Sequence, residues 1–294
     1  MGIVDIDPAI ALAGLVVGFT VGLTGMGGGA LMTPMLVLVF DVDPLAAVSS
    51  DLVVSMVMKP IGGGVHLRRG TVHRGIVTWL VVGSVPAAFT GVLVLQALGD
   101  DVGPTLERLL GVALLAAAAA MIARAAMAGR AGALSADPQD VAVRRLATLA
   151  VGLLGGLIVG LTSVGSGSLM IVLMLGLYPR LTTRALVGTD LVQAVPLVAS
   201  AALGHLLFGD VRLSLTSALL VGAIPGVYAG ARVSAWASDR WIRPVLVAVL
   251  VASATKLLDL PTLIAALAGL VAGTTAGLVA NRRSHAIFAS VDKA

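Results

Sequence analysis

Apolar residues in this chain fall in long blocks separated by charges and by Pro/Gly punctuation. Nine stretches result, at 9–40, 44–67, 74–98, 104–127, 144–177, 181–208, 212–235, 241–258 and 260–280. The segments 76–98, 213–231 and 260–280 carry no charge over 19 to 23 residues, long enough to cross a hydrocarbon layer of roughly 30 Å as helices. The eighth stretch is weaker, because only 244–255 is free of charge. It depends on Arg243 and Lys256 snorkelling to the interfaces. Two stretches are too long. As continuous helices, 9–40 and 144–177 would measure about 48–51 Å at ~1.5 Å per residue. Each is cut by a glycine-rich block, Gly25-Met26-Gly27-Gly28-Gly29 in one and Gly165-Ser166-Gly167 in the other. The pattern predicts a helix, a break and a second half-helix in each.

The two blocks belong to an internal repeat. Gly22-Leu23-Thr24 matches Gly160-Leu161-Thr162 at a spacing of 138, as do Gly27 and Gly165, Gly29 and Gly167, and Leu31-Met32 and Leu169-Met170. After a one-residue insertion the register continues at 139. Asp51-Leu52-Val53 then falls on Asp190-Leu191-Val192, His66 on His205, and Gly83, Pro86 and Gly91 on Gly222, Pro225 and Gly230. The chain therefore reads as a duplication.

Composition agrees. Charged residues are 12% of the chain against roughly 25% in ordinary globular proteins. Apolar residues are 58%, and the mean hydropathy is +1.05. No soluble fold hides that much apolar surface, so a cytoplasmic enzyme and a secreted globular protein are both excluded. The pI near 10.1 comes from basic residues scattered at the ends of apolar segments, with aromatics at only 3%, which argues for membrane topology and against nucleic-acid binding. Cysteine is absent. Residues 1–8 carry Asp5 and Asp7 and no basic residue, unlike a signal peptide.

Charge also orients the chain. If both long broken segments enter and return as hairpins, 15 of the 19 basic residues fall on one face. The positive-inside rule makes that face cytoplasmic. Each repeat then crosses an odd number of times, and the two halves face opposite ways, as in alternating-access transporters. The prediction is an all-α integral membrane protein with two inverted repeats. Each repeat is a re-entrant broken-helix hairpin plus three transmembrane helices, and one extra C-terminal transmembrane helix follows. The first repeat spans 9–128, a cytoplasmic linker 129–143, the second repeat 144–258 and the extra span 260–280. The protein is expected to be multi-pass in the cell membrane, with its C-terminus in the cytoplasm.

Glycines at a helix break release backbone N–H groups and leave a partly positive half-helix N-terminus that attracts anions. The candidate substrate-binding set is Thr24, Gly27, Gly28, Gly29, Lys59, Thr162, Ser163, Gly165, Ser166 and Gly167, with Ser168 a further hydroxyl. The bland alternative is that the glycines serve tight helix packing. No Gly-Lys-Ser/Thr follows either block, which excludes a P-loop. Asp51 and Asp190 lie inside their spans, where an ionisable group is costly and a functional candidate. They either couple transport to a proton or cation or pin the facing half-helix, and Gln193 extends the polar lining beside Asp190. Lys59 lies two turns beyond Asp51 and has Val198 as its counterpart. It attracts an anion or pairs with Asp51 through water. His66 and His205 sit at span ends, which favours structural roles over titration. His73 and His285 are expected to be solvated. No metal, cofactor or catalytic set is indicated.

The run Gly22 to Gly29, then Pro34, Ser49-Ser50-Asp51 and His66-Leu67-Arg68-Arg69-Gly70, resembles the TauE/SafE-type sulfite exporter family. So does the second copy, with Gly188-Thr189-Asp190 and His205 through Gly209. The resemblance covers about 9–258. Two departures stand out: Gly165-Ser166-Gly167-Ser168 replaces a fuller glycine run, and Val172 stands opposite Pro34. The resemblance implies a plasma-membrane transporter of small sulfur-containing anions such as sulfite or organosulfonates. The leading expectation is a secondary transporter exporting such an anion by alternating access. An anion channel using the same site is the first alternative. A membrane-embedded enzyme acting on lipid head groups is the second, and it lacks a clustered catalytic set. The expected partners are the small anion and the bilayer, with no nucleic acid; a homodimer is compatible with the sequence.

Overall fold

The computed structural model describes residues 6–24, 28–99, 102–127, 139, 141–233 and 239–291. Among them the chain forms eleven helices: α1 (Pro8–Thr24), α2 (Gly29–Phe40), α3 (Pro44–Arg68), α4 (Arg74–Ala97), α5 (Gly103–Met127), α6 (Arg145–Thr162), α7 (Leu169–Leu177), α8 (Thr183–Phe208), α9 (Leu213–Val233), α10 (Asp239–Leu257) and α11 (Thr262–Val291). No strand occurs among the described residues. In lipid a backbone must satisfy its own polar groups, and a helix does so within one segment.

Local chemistry sets the helix starts. Asp7 and Asp43 each accept from the backbone two residues on, at 2.8 Å from Ala9 and 2.9 Å from Leu45. Pro8 and Pro44 follow them as the first helical residues, where a missing N–H costs nothing. Thr182, the repeat counterpart of Asp43, caps α8 through the Ala185 N–H at 3.2 Å. His73 does the same for α4, accepting from the Ile76 N–H at 3.2 Å. Its Nε2 lies 2.9 Å from the Val141 carbonyl, and its own N–H donates to Thr189. His73 is therefore only 3% exposed, contrary to the solvated position expected of it; capping and two further bonds bury it. The side chain of His285 lies outside the described residues, as do Gly25, Met26, Gly27 and most of the 129–143 linker.

The second long stretch breaks at its glycines, and in the first α1 is described to Thr24 and α2 from Gly29, with 25–27 outside the described residues. The arms are unequal: α1 and α6 have 17 and 18 residues, α2 and α7 only 12 and 9. At roughly 18 and 14 Å, α2 and α7 cannot cross the layer alone. Seven helices are long and apolar enough to cross: α3, α4, α5, α6, α8, α9 and the Thr262–Val279 part of α11. The α10 helix, which holds the weak eighth stretch, is not among them. Outward-facing Leu146 (82% exposed), Val39 and Leu263 (72% each) form a surface that only lipid satisfies.

Two parallel seams hold the bundle. Along the first, Gly14, Gly18 and Gly22 of α1 face Leu219, Ala223 and Val227 of α9, while Gly222, Gly226 and Gly230 face back toward Ala11, Leu15 and Phe19. The second seam joins α6 to α4 through Gly152, Gly156 and Gly160 on one side and Gly83 and Gly91 on the other. A Cβ on Gly18 would stand 2.5 Å from the Ala223 carbonyl oxygen, and one on Gly83 2.6 Å from that of Leu149. Only glycine lets these backbones approach so closely. The seams exchange under the 138/139 correspondence, since α1 and α9 are the counterparts of α6 and α4. The counterparts α3 and α8 pack against each other in antiparallel fashion, with Ser49 beside His205 at one end and His66 beside Gly188 at the other. The α5 and α10 helices likewise pair.

Candidate functional site

The first residues of α2 meet the loop 163–168 at the centre of the bundle. Gly29 lies against the Ser163 carbonyl so closely that no Cβ fits. Ser163, left-handed at φ +60, ends α6 and donates its hydroxyl to Asp51 Oδ2. Thr33 of α2 donates to the same oxygen at 3.3 Å. Asp51 is fully buried and thus clasps α2, α3 and the second glycine loop together. Its Oδ1 faces Gly28 and, like the hydroxyl of Ser55, has no hydrogen-bond partner among the described residues.

One turn beyond Ser55 on the same face of α3, the Lys59 ammonium donates to Ser166 in the opposing loop. It lies within electrostatic reach of both Asp51 and Asp190. Gly165 and Gly167, at φ +123 and +97, bend this loop through conformations that favour glycine. The bend brings the Gly167 N–H to Asp190. Asp190 also accepts from Gln193 Nε2 at 2.9 Å, and Ser84 donates to Gln193 Oε1 at 3.4 Å. Thr162 turns its hydroxyl to the Ile158 carbonyl and accepts the Val164 N–H, which keeps it within its own loop.

A cavity of about 510 Å³ opens onto this centre between α1, α3, α8 and α9. Gly28, Ser55 and Lys59 border it, as do Thr24, His66, Arg69, Tyr228 and Arg232. Arg69 and Arg232 lie at the C-terminal ends of α3 and α9, and Arg232 stacks 4.4 Å over the Tyr228 ring. No acidic residue lines the cavity among the described residues. Its flank is apolar, with Val187, Leu191 and Val227. Hydrogen-bond donors on an otherwise apolar wall and an excess of positive charge suit an anion.

The counterpart of this cavity under the repeat is packed shut. Val159, Ala88, Ala194, Val198 and Val92 stand where Val21, Val227, Ser55, Lys59 and Ala231 stand in the first copy, and all are 0–2% exposed. The histidines divide in the same way. His66 faces the cavity with its Nδ1 2.9 Å from Thr71. His205 is fully buried, with Nδ1 2.8 Å from the Ser49 hydroxyl and Nε2 3.0 Å from the Gly160 carbonyl. Both ring nitrogens are engaged, so His205 ties α8 to α3 and α6.

Of the substrate-binding residues expected from sequence, Thr24, Gly28 and Lys59 line the open cavity. Ser163, Ser166 and Gly167 instead hold Asp51, Lys59 and Asp190 in place. Gly27 lies outside the described residues. Ser55, Arg69, Tyr228 and Arg232 are not among the site residues expected from sequence. A signal for Ser55 was present, since Asp51, Ser55 and Lys59 recur every fourth residue on one helical face.

An all-helical multi-pass membrane protein with a cationic interior cavity belongs to the class of membrane transporters. The family model "Sulfite exporter TauE/SafE" matches residues 10–257, and the chain belongs to that family of membrane transporters. It is also similar to "Probable membrane transporter protein YjnA" of Bacillus subtilis (strain 168), with 34% identity over 253 residues, covering 85% of this chain and 99% of the relative. No solved structure matches the chain.

Proposed function

We propose that this chain is a secondary transporter that exports a small sulfur-containing anion, sulfite or an organosulfonate, by alternating access between two inverted repeats. One observation carries the reading: the cationic cavity ending at Ser55 and Lys59 is open, while its counterpart under the repeat is closed. Two halves that exchange these conformations would expose one site first to one side and then to the other. The antiparallel meeting of α3 with its counterpart α8 supports the inverted arrangement, and the shortness of α2 and α7 supports returning hairpins. The mouth lies among Arg69 and Arg232, so this state faces the basic, cytoplasmic side expected from charge bias.

The substrate's anionic group would rest on the Lys59 ammonium and the Ser55 hydroxyl. At ~30 Å³ per water, the cavity would hold about seventeen waters, more than a bare sulfite fills. Its flank of Val187, Leu191 and Val227 suits the short hydrocarbon part of an organosulfonate. Asp51 acts as the clasp between α2, α3 and the second glycine loop. In proteoliposomes, unlabelled sulfite or ethanesulfonate inside should accelerate uptake of labelled substrate several-fold. Single-channel currents without such acceleration would establish the channel reading instead.

The two arginines at the mouth would steer the anion without making its final contacts. Arg232→Gln should therefore raise KM and flatten its dependence on ionic strength, with kcat little changed. Initial rates measured between low and physiological salt test this. An unaltered salt dependence would remove Arg232 from the path.

A further inference from the structure

The carbonyl of Gly160 lies in the last turn of α6, where the end of a helix leaves carbonyl groups without intrahelical donors. His205 of α8 satisfies this one, with Nε2 3.0 Å from the oxygen. A carbonyl only accepts, so Nε2 carries the proton. Nδ1, 2.8 Å from the Ser49 hydroxyl, then accepts from it, as a neutral imidazole does. His205 thereby fastens α8 to α6 and α3 on the side where the counterpart of the Lys59 cavity is packed shut.

Under the repeat, Gly22 is the counterpart of Gly160, His66 of His205 and Gly188 of Ser49. Gly22 holds the same place in α1 as Gly160 in α6, two residues before the helix ends. Gly22 and His66 both stand on the walls of the open cavity, and among the described residues no hydrogen bond joins them. Gly188 brings no hydroxyl to His66, and Thr71 takes that part instead, 2.9 Å from Nδ1. A Cβ on Gly188 would stand 2.9 Å from both Nδ1 and the Thr71 carbonyl, so no serine fits there in this state. One histidine is thus fastened across the closed route, and its twin stands unfastened beside the open one.

We propose that His205 and His66 are paired latches that hold the two access routes to the transport site shut in turn, His205 on the Gly160 carbonyl in this state and His66 on the Gly22 carbonyl in the other. The proposal rests on the alternating-access reading and adds the residues that hold each state. When the halves exchange conformations, α6 and α8 part as His205 releases Gly160. The α1 and α3 helices close as His66 Nε2 reaches Gly22, while Thr71 keeps Nδ1. The chain has no cysteine, so single introduced cysteines report on each route. Val92→Cys lies in the closed counterpart cavity and Val187→Cys on the wall of the open one. The measurement is the rate at which a water-soluble maleimide labels each position in the full-length, detergent-solubilised protein. Loss of two buried hydrogen bonds in His205→Ala should raise labelling of Val92→Cys at least about fivefold and lower that of Val187→Cys. Ser49→Ala, which frees only Nδ1, should act in the same direction more weakly. His66→Ala should act in the opposite direction at both positions. If His205→Ala fails to fold, Ser49→Ala and His66→Ala decide. A merely structural loosening would raise labelling at both positions, and that result overturns the latches, as does unchanged labelling in Ser49→Ala and His66→Ala. Exchange by the wild type, measured alongside in proteoliposomes, separates the two readings. Acceleration by internal substrate with unchanged labelling overturns the latches alone, whereas its absence overturns alternating access and the latches together.

Discussion

Replacing Lys59 by glutamine is expected to slow sulfite or organosulfonate exchange in proteoliposomes at least about thirtyfold. Lys59 is 8% exposed and borders the open cavity, and its ammonium donates to Ser166 of the opposing loop. Removing a charged donor from a desolvated anion contact costs about 2 kcal/mol or more, which is the stated factor. Glutamine keeps a donor for Ser166, so the loop need not collapse. Lys59→Arg should retain part of the activity, because it keeps the charge with a bulkier head. Equal exchange by the wild type and Lys59→Gln, at equal incorporation into vesicles, would remove Lys59 from the site and with it the reading of the cavity.

The second large effect is on folding. Gly222→Val should lower the melting temperature sharply and shift the detergent-solubilised protein from a single chromatographic peak toward aggregate. A Cβ at this position falls on the carbonyl of Ala11 in α1, and valine adds two methyl groups beyond it. Overpacking a core costs typically 1–3 kcal/mol, and more when the obstacle is backbone that cannot rotate away. Here the obstacle is the parallel partner helix along the whole seam. Gly64→Ala is the matched control: a Cβ there meets nothing within 4 Å, and alanine is the better helix former. The control should melt at or above the wild-type temperature. A wild-type melting curve for Gly222→Val would show that the α1–α9 seam is looser than its geometry implies.

Much of the architecture was legible in the chain because lipid leaves the backbone few options. Uncharged runs of about twenty residues had to be helices. The second glycine block marked its break, since Gly165 and Gly167 supply the left-handed turns there. The repeat marked counterpart residues, and the structure pairs α1 with α9 as it pairs α6 with α4. Gly165 and Gly167 shape the second loop, whereas the glycine stripes on α1, α4, α6 and α9 serve close helix packing. His73 was misjudged because its two main partners, Val141 and Thr189, lie 68 and 116 residues away.

Helices, breaks and the twofold repetition follow from local order, because each depends on residues within one segment and on the solvent around it. Which of two nearly equivalent surfaces opens into a cavity does not. That depends on how α1, α3, α8 and α9 pack as against α6, α8, α3 and α4, a difference summed over side chains far apart in the chain. The same packing engages the hydroxyls of Ser163 and Ser166 with Asp51 and Lys59 and leaves Ser55 at the floor. No spacing in the sequence encodes that choice, since only the folded chain brings the start of α2 and the second glycine loop to one place.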